Sequence, residues 1–366
     1  MTDTILCIDI GTSSLKASLL PDNLRAGEIF VSRQYFSHAA VVENRVAEEW
    51  LPCLKAALAE LTAKNPDYAI EAVCVSGNGP TLVSEDCTTL LYNQICVCAG
   101  TKRSAFKNDA ERNSLKNTKS LFIPRVFGFK NAFPLSWNNS EHVFGAPEFL
   151  IHKLTGESVT ILPEERFLSA YWNDDELTAC GFSSSDIKKL PPFVKSGSFV
   201  GKVSESAAIA TGLLEGTLVF AGAPDFVVAL IGTGTVLPGR LCDRAGTSEG
   251  LNLCTSKPVF AEGLRTLPSV VPGLWNLSYL GADISRGVSL LREAAISNGE
   301  YFPDFMTITG GQALNDELIA QKESATGLKI KKMPCADAEL LGDLILARVG
   351  LGDYDDITEA VFAILG

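Results

Sequence analysis

The sequence predicts an α/β protein of two domains that face each other across a cleft, and three observations lead to this fold class. The chain has 366 residues, which is more than one hydrophobic core usually serves. Strand-like apolar runs alternate with helical patterns along it. A strand followed by a glycine turn near residue 11 returns near residue 246. Duplicated domains that face each other would present these two turns to one cleft.

The composition is that of a folded protein with an acidic surface. The chain is 46% hydrophobic and 20% charged, and its net charge is −12. This charge disfavours nucleic acids and anionic membranes as partners. No apolar run is long enough to span a bilayer, and no basic segment precedes an apolar run at the start. The ten cysteines form no CxxC pair and are expected to be core residues in a reducing compartment, so the predicted location is cytoplasmic.

Periodicity predicts the elements of the first half of the chain. A buried strand at 4–10, a tight turn and a strand at 15–20 form a hairpin. The pattern continues with a strand at 26–34, a helix at 48–61, a strand at 69–76, a short helix at 148–154 and an irregular segment at 190–202. We expect the domain junction near this irregular segment.

The second half repeats the alternation of strands and helices. We expect a strand at 217–221, a turn at 222–224, a helix from 225 to 231, a hairpin within 240–255, a helix at 285–295, a strand at 306–309, a helix at 315–326 and a closing helix at 338–349 that Gly350 caps.

The first motif with chemical content is Asp9-x-Gly11-Thr12-Ser13-x-x-Lys16. A glycine turn exposes consecutive N–H groups that bind anions, and the two hydroxyls add donors. Asp9, at the end of its strand, is placed to hold Mg²⁺ through water. The motif is no Walker loop, because a strand rather than a helix follows the turn. An ordinary hairpin turn is the alternative.

The second motif, Gly246-Thr247-Ser248, repeats the first. Residues 241–248 match residues 6–13 at five of eight positions, and both copies sit between two strands. Each turn by itself is compatible with a plain hairpin. Together they predict two phosphate-binding turns.

Two further motifs lie at strand-to-helix junctions. Asp225 follows a Gly-Ala-Pro segment and either caps the helix that begins there or accepts a proton from an attacking hydroxyl. Gly310 and Gly311, followed by Asn315, let the backbone approach a flat ligand closely, unless they form only a turn.

The order of these motifs resembles that of the FGGY carbohydrate kinases, which belong to the actin/Hsp70/sugar-kinase superfamily. Further stretches are similar to family patterns: 76–86 to "SGQ…LVLLDEDG", 149–157 to "YLxxxLTGE", and 342–352 to "GAAxLAxxGxG". The similarity extends over most of the chain, and xylulokinase-like members are the nearest.

The resemblance implies two ribonuclease-H-like (actin-like ATPase) domains, here 1–222 and 223–366, with ATP in the cleft between them. It implies that Gly11, Thr12, Ser13, Lys16, Gly246, Thr247 and Ser248 contact phosphates, that Gly310, Gly311 and Asn315 lie at the adenosine, that Asp225 is the catalytic base, and that Asp9 and Asp225 support Mg²⁺. The expected acceptor is a ketose or polyol, and a homodimer is compatible with the sequence.

The acceptor side departs from the family. No Trp-x-Asp precedes Arg103 where the family has "WxDxR", Asn78-Gly79-Pro80-Thr81 replaces the "QMHG" loop, and the chain is short. Asn78, Arg103 and Glu164 are the candidate acceptor-binding residues. Two alternatives to a sugar kinase stay open: an ATPase or kinase with another acceptor, and a nucleotide-binding regulator or scaffold with reduced catalysis.

Overall fold

A computed structural model of the protein describes residues 2–24, 29–94, 109–245 and 249–366. The strands in these residues are β1 (Thr2–Ile10), β2 (Ser14–Leu20), β3 (Ser32–Tyr35), β4 (Tyr68–Gly77), β5 (Leu82–Ser84), β6 (Thr89–Leu90), β7 (Val143–Phe144), β8 (Thr160–Leu162), β9 (Phe193–Lys195), β10 (Phe199–Lys202), β11 (Leu218–Pro224), β12 (Leu241–Ala245), β13 (Glu249–Thr255), β14 (Arg265–Pro268), β15 (Trp275–Leu280), β16 (Phe305–Thr309) and β17 (Lys329–Lys332).

The α-helices of the same residues are α1 (His38–Val42), α2 (Trp50–Lys64), α3 (Asp109–Asn117), α4 (Ile123–Ala132), α5 (Pro134–Asn139), α6 (Ala146–Thr155), α7 (Asp174–Ala179), α8 (Ser184–Ile187), α9 (Glu205–Thr211), α10 (Asp225–Gly232), α11 (Ile284–Ser297), α12 (Asp316–Thr326), α13 (Ala338–Leu351) and α14 (Ile357–Leu365). Short 3₁₀ helices lie at Val46–Glu49, Glu165–Ala170 and Gly311–Leu314. In the described part of the chain, no helix combines the length and the apolar character that a membrane crossing requires.

The first sheet has six described strands in the order β10-β11-β4-β1-β2-β3. β1 and β2 form the predicted hairpin, while β4 runs parallel to both β1 and β11. Alternate residues of β1 enter different cores: Cys7 packs in the core that contains α13, and Ile8 packs in the core that contains α2 and α6. Because both faces are covered, the strand is a continuous apolar run rather than an alternating one.

The second sheet, again counted over the described residues, has the order β14-β15-β13-β12-β16-β17. Its β12–β13 hairpin has the parallel strands β16 and β17 on one side and the antiparallel strand β15 on the other. The first sheet has the same plan around β1 and β2. The repeat in the sequence is therefore a repeat of sheet topology.

Three predicted elements are wrong in detail. Residues 190–202 are not irregular, because β9 pairs with β8 and β10 pairs with β11. Residues 222–224 are not a turn, since β11 continues to Pro224. The closing helix does not end at Gly350: α13 runs to Leu351, and Gly352 adopts the left-handed conformation at φ +87° that ends it. The first two errors concern strand pairing with residues distant in sequence.

Helix α13 packs on the first sheet, although the predicted division at residue 222 assigns it to the second domain. Its residues Leu340, Leu344 and Ala347 share a core with Cys74 and Phe220 of that sheet. The division of the chain into 1–222 and 223–366 stays a prediction.

Candidate functional site

Three candidate segments meet at the carboxyl end of the first sheet. Ile10 of β1 is in register with Gly77 of β4, and Gly77 is in register with Pro224 of β11. Gly11, Asn78 and Asp225 follow these residues directly. Since the three strands are parallel, the phosphate turn, the altered acceptor loop and the candidate base lie at one sheet edge, where α/β sheets bind ligands.

The first phosphate turn is short and fixed by the backbone. The Gly11 N–H donates to the Ser14 carbonyl at 2.9 Å, and the Phe36 N–H donates to the Ser13 carbonyl at 2.9 Å. Gly11 and Thr12 are half-buried, and Ser13 is exposed. The turn is thus fixed in shape and accessible to solvent at Ser13.

Lys16 lies across the hairpin from Asp9 and joins it to α13. Its Nζ is 3.0 Å from Asp9 Oδ2, 3.2 Å from Asp337 Oδ1 and 3.8 Å from Glu339 Oε2. Burial alone would lower the Lys16 pKa, but the three carboxylates outweigh it and hold the pKa well above its usual value. The ammonium is therefore occupied by carboxylates at the start of α13. The phosphate contact predicted for Lys16 stays a prediction, because it requires an exchange of partners.

The residues around Asp9 fit a magnesium ion with few protein ligands. Asp9 is buried, and its Oδ1 has no hydrogen-bond partner in the described part of the chain, while Lys16 takes Oδ2. No group of three or more His, Cys, Asp or Glu residues that could hold a metal occurs within the described ranges. Mg²⁺ keeps several waters and takes only one or two carboxylates beside phosphate oxygens. A bare carboxylate oxygen next to a phosphate turn suits it.

Asp225 is the first residue of α10 but not its cap. Pro224 occupies the cap position, and Asp225 Oδ1 accepts the neighbouring Phe226 N–H at 2.6 Å. A capping side chain instead accepts from the second or third N–H of the helix. The capping alternative therefore does not account for this carboxylate.

The electrostatic surroundings of Asp225 come from both sheets. Burial raises the Asp225 pKa, and the charge of Asp9 raises it further, whereas Arg244 of β12 and Lys16 of β2 lower it. The net shift is upward. Charges on the two hairpins thus act on one carboxyl group.

The paired glycines lie between β16 and α12. Gly310 has φ +90° and ψ −178°, a conformation that only glycine adopts readily, and its N–H donates to the Ala336 carbonyl at 2.7 Å. A side chain at Gly311 would meet nothing within 4 Å. Asn315 caps α12 by accepting the Leu318 N–H at 3.1 Å. Open space beside a glycine turn is what a flat ligand needs.

A profile of the FGGY family of carbohydrate kinases, N-terminal domain, matches residues 4–232.

The chain belongs to this family. It is 25% identical over 306 residues to the autoinducer-2 kinase of Photorhabdus laumondii, a match that covers 74% of this chain and 55% of that protein. It is 26% identical over 267 residues to the xylulose kinase of Bacillus subtilis, covering 67% and 52%. The chain therefore spans about half the length of these relatives.

Solved structures confirm the predicted fold class. The crystal structure of Plasmodium falciparum glycerol kinase with ADP matches with a TM-score of 0.70 at 12% identity, covering 99% of this chain and 92% of that one. The predicted α/β fold with two ribonuclease-H-like (actin-like ATPase) domains is that of the FGGY sugar kinases, and the predicted family resemblance is confirmed as well.

The candidate residues for binding the acceptor substrate, Asn78 and Glu164, differ from each other in their surroundings. Asn78 is buried; its Oδ1 accepts the Thr81 hydroxyl at 2.5 Å, and its Nδ2 has no partner in the described chain. Glu164 accepts from Arg166 Nε at 2.8 Å and from the Arg166 N–H at 3.0 Å, so this arginine occupies it. Arg103 and the second phosphate turn, Gly246, Thr247 and Ser248, lie outside the described residues.

Sequence patterns did not indicate several polar residues that lie close to the candidate site. Asp337 and Glu339 begin α13 and hold Lys16, while Asp343 is fully buried in that helix and accepts the Ser76 hydroxyl at 2.9 Å. The one signal for Asp343 is an acidic residue inside an otherwise apolar helical run. Nothing local marks the other two.

Proposed function

We propose that the protein is an ATP-dependent carbohydrate kinase that transfers the γ-phosphoryl group to a hydroxyl of a ketose or polyol. The observation that carries this proposal is the alignment of Ile10, Gly77 and Pro224 in three parallel strands. These strands are followed by the proposed phosphate-binding turn, by a loop in which Asn78 Nδ2 has no partner among the described residues, and by Asp225, which does not cap its helix. These are the parts that phosphoryl transfer to an alcohol requires.

Asp225 is the proposed general base. A base works best when its pKa approaches the operating pH, and burial together with the Asp9 charge raises the Asp225 pKa in that direction. The carboxyl accepts the proton of the acceptor hydroxyl as the oxygen attacks phosphorus. Arg244 and Lys16 lower the Asp225 pKa and so favour the ionised form that acts as a base.

The nucleotide is proposed to lie along the two hairpin turns. The N–H groups and hydroxyls of Gly11, Thr12 and Ser13 bind phosphate oxygens, and Gly246, Thr247 and Ser248 repeat these contacts from the second hairpin. Gly310, Gly311 and Asn315 take the adenosine. Because the two turns come from different sheets, nucleotide binding brings the sheets together and excludes water from the acceptor.

Asp9 and Asp225 are the residues that would hold Mg²⁺, which neutralises charge on the transferred phosphoryl group when bound. Asp9 offers its free Oδ1, and Lys16 fixes the other oxygen of that carboxylate. The protein's own contribution is orientation: the Lys16 ammonium prevents the Asp9 side chain from turning away.

The test is ADP release with a panel of acceptors: xylulose, other pentuloses, hexuloses, glycerol and gluconate. We expect one class of acceptor to stimulate ADP release. The Asp225→Asn variant should lower this stimulated rate roughly 10²–10⁴-fold. Asp174→Asn is the matched control, because Asp174 is also the first residue of a helix but is exposed.

Other outcomes separate the alternatives. ADP release that needs Asp225 but that no sugar or polyol stimulates would indicate an ATPase or a kinase for another acceptor. Tight ATP binding without turnover would indicate a nucleotide-binding regulator and would contradict both enzymatic assignments.

A further inference from the structure

A small cavity lies next to the candidate base, and two polar atoms of its lining residues have no hydrogen-bond partner among the described residues. Asn78, Glu148, Tyr171 and Pro224 are among its lining residues, and Pro224 directly precedes Asp225. The cavity measures about 10 Å³, which is room for one water-sized group.

The two unpartnered atoms are Asn78 Nδ2 and Glu148 Oε2. Both side chains are buried, with 4% and 5% of their surface exposed. The remaining polar atom of each is occupied: Asn78 Oδ1 accepts the Thr81 hydroxyl, and Glu148 Oε1 accepts the Ile161 N–H at 2.9 Å. These bonds fix both side chains, so the cavity presents one donor and one acceptor.

A purely structural role explains only one of the two carboxylate oxygens of Glu148. Its bond to the Ile161 N–H ties the start of α6 to β8, and one oxygen suffices for that. The other oxygen lies against Gly145, where a side chain would come within 2.2 Å of it. Burial raises the pKa of this carboxyl to about 7, although hydrogen bonds from the Ile161 and Glu148 N–H groups lower it. A buried acceptor without a donor lowers the stability of the fold, and a ligand that supplies the donor would account for its presence.

A single group of this size can form hydrogen bonds with both Asn78 Nδ2 and Glu148 Oε2. A hydroxyl donates its proton to Glu148 and accepts from the Asn78 amide with its lone pairs, whereas a carbonyl, ether or methyl group leaves at least one of them unpaired. Phe122 and Tyr171 also line the cavity, and their rings stack with centroids 4.4 Å apart.

We propose that Glu148 and Asn78 form a hydroxyl-recognition site of the acceptor pocket: a second hydroxyl of the acceptor enters this cavity while the reacting hydroxyl lies at Asp225. The proposal rests on the proposed kinase function and deepens it. It selects acceptors that carry at least two hydroxyl groups at the matching separation, and it makes Glu148 a specificity-determining residue.

The experiment compares wild type with Glu148→Gln, using the best acceptor of the panel and its single-deoxy analogues. In wild type, one analogue is expected to lose roughly ten- to a hundredfold in kcat/KM, because a buried carboxylate loses its donor. In Glu148→Gln the parent acceptor loses a similar factor, mainly through KM, and that analogue is no longer disfavoured. Glu157→Gln, an exposed glutamate after the same helix, is expected to discriminate as wild type does.

Unchanged discrimination in a folded Glu148→Gln protein would overturn the proposal and leave the cavity to a structural water. Failure of the kinase function looks different, since no acceptor would then stimulate wild type. In that case calorimetric binding of the same polyols decides: binding that Glu148→Gln weakens supports the site, and no binding overturns it. Should Glu148→Gln not fold, Asn78→Asp removes the donor, keeps the acceptor for Thr81, and is expected to lose the same discrimination.

Discussion

Replacing Lys322 with methionine removes the cation of a buried charge cluster at the base of the second hairpin. Lys322 extends from α12, and its Nζ lies 2.5 Å from Asp243 Oδ2 of β12 and forms a second ion pair with Glu249 of β13. Asp243 is fully buried, and the Lys322 side chain is only 6% exposed. The cluster therefore ties the helix to the two strands that flank the second phosphate turn.

The loss of stability is expected to be large. Removing one partner of a buried ion pair leaves an uncompensated charge, which costs about 3–5 kcal/mol of unfolding free energy. Lys332→Met is the matched control, because Lys332 pairs with Asp316 at the surface, where an ion pair contributes about 0–1 kcal/mol. Urea unfolding followed by circular dichroism measures both variants.

The pH dependence tests the cause. Burial raises the Asp243 pKa to about 6 even though the Lys322 hydrogen bond and charge lower it. Removing the Lys322 ammonium should therefore raise the Asp243 pKa further. A carboxyl whose folded pKa lies above its unfolded pKa stabilises the fold at low pH and loses this contribution as pH rises through the folded value. The deficit of Lys322→Met should therefore be smaller at pH 5 than at pH 8. A loss no larger than that of Lys332→Met, or one equal at both pH values, would refute this reasoning.

Two further predictions concern contacts between distant parts of the chain. Arg166 donates to the carbonyls of the 269–274 segment, so Arg166→Met should speed hydrogen exchange there roughly 10–100-fold, and unchanged exchange would argue against this clamp. Burial raises the Asp343 pKa well above its usual value, and so favours the neutral form of this carboxyl, although the hydrogen bond from Ser76 lowers the pKa. Asp343→Asn should then cost less than about 1 kcal/mol in urea unfolding, whereas a loss above 3 kcal/mol would indicate an ionised carboxylate.

The sequence predicted those parts of the site that local chemistry dictates. A glycine turn between two apolar strands can be read from residues 4–20 alone, and the similarity of residues 241–248 extends that prediction to the second sheet. Asp225 follows a buried strand and begins a helix, so its place at the sheet edge follows from the pattern. In each case the deciding neighbours lie within a few residues.

The missed parts depend on neighbours far away in sequence. The phosphate contact of Lys16 stays a prediction, but no sequence pattern indicates that Asp337 and Glu339, more than 300 residues later, pair with it. β9 and β10 form because β9 pairs with β8 and β10 pairs with β11, and their own composition does not predict them. No periodicity within a segment encodes such partners.

The acidic groups around the first hairpin are costly for folding, which argues that they serve the reaction. Asp9, Asp225, Glu339 and Asp343 are buried or half-buried, and burial is the first cause of the raised pKa of the last three. Lys16 is shared among several carboxylates and cannot neutralise all of them. Selection for stability alone would replace such a surplus with apolar side chains. A group of carboxyls beside a candidate phosphate-binding turn instead matches a ligand that arrives with its own cation, as magnesium–nucleotide does.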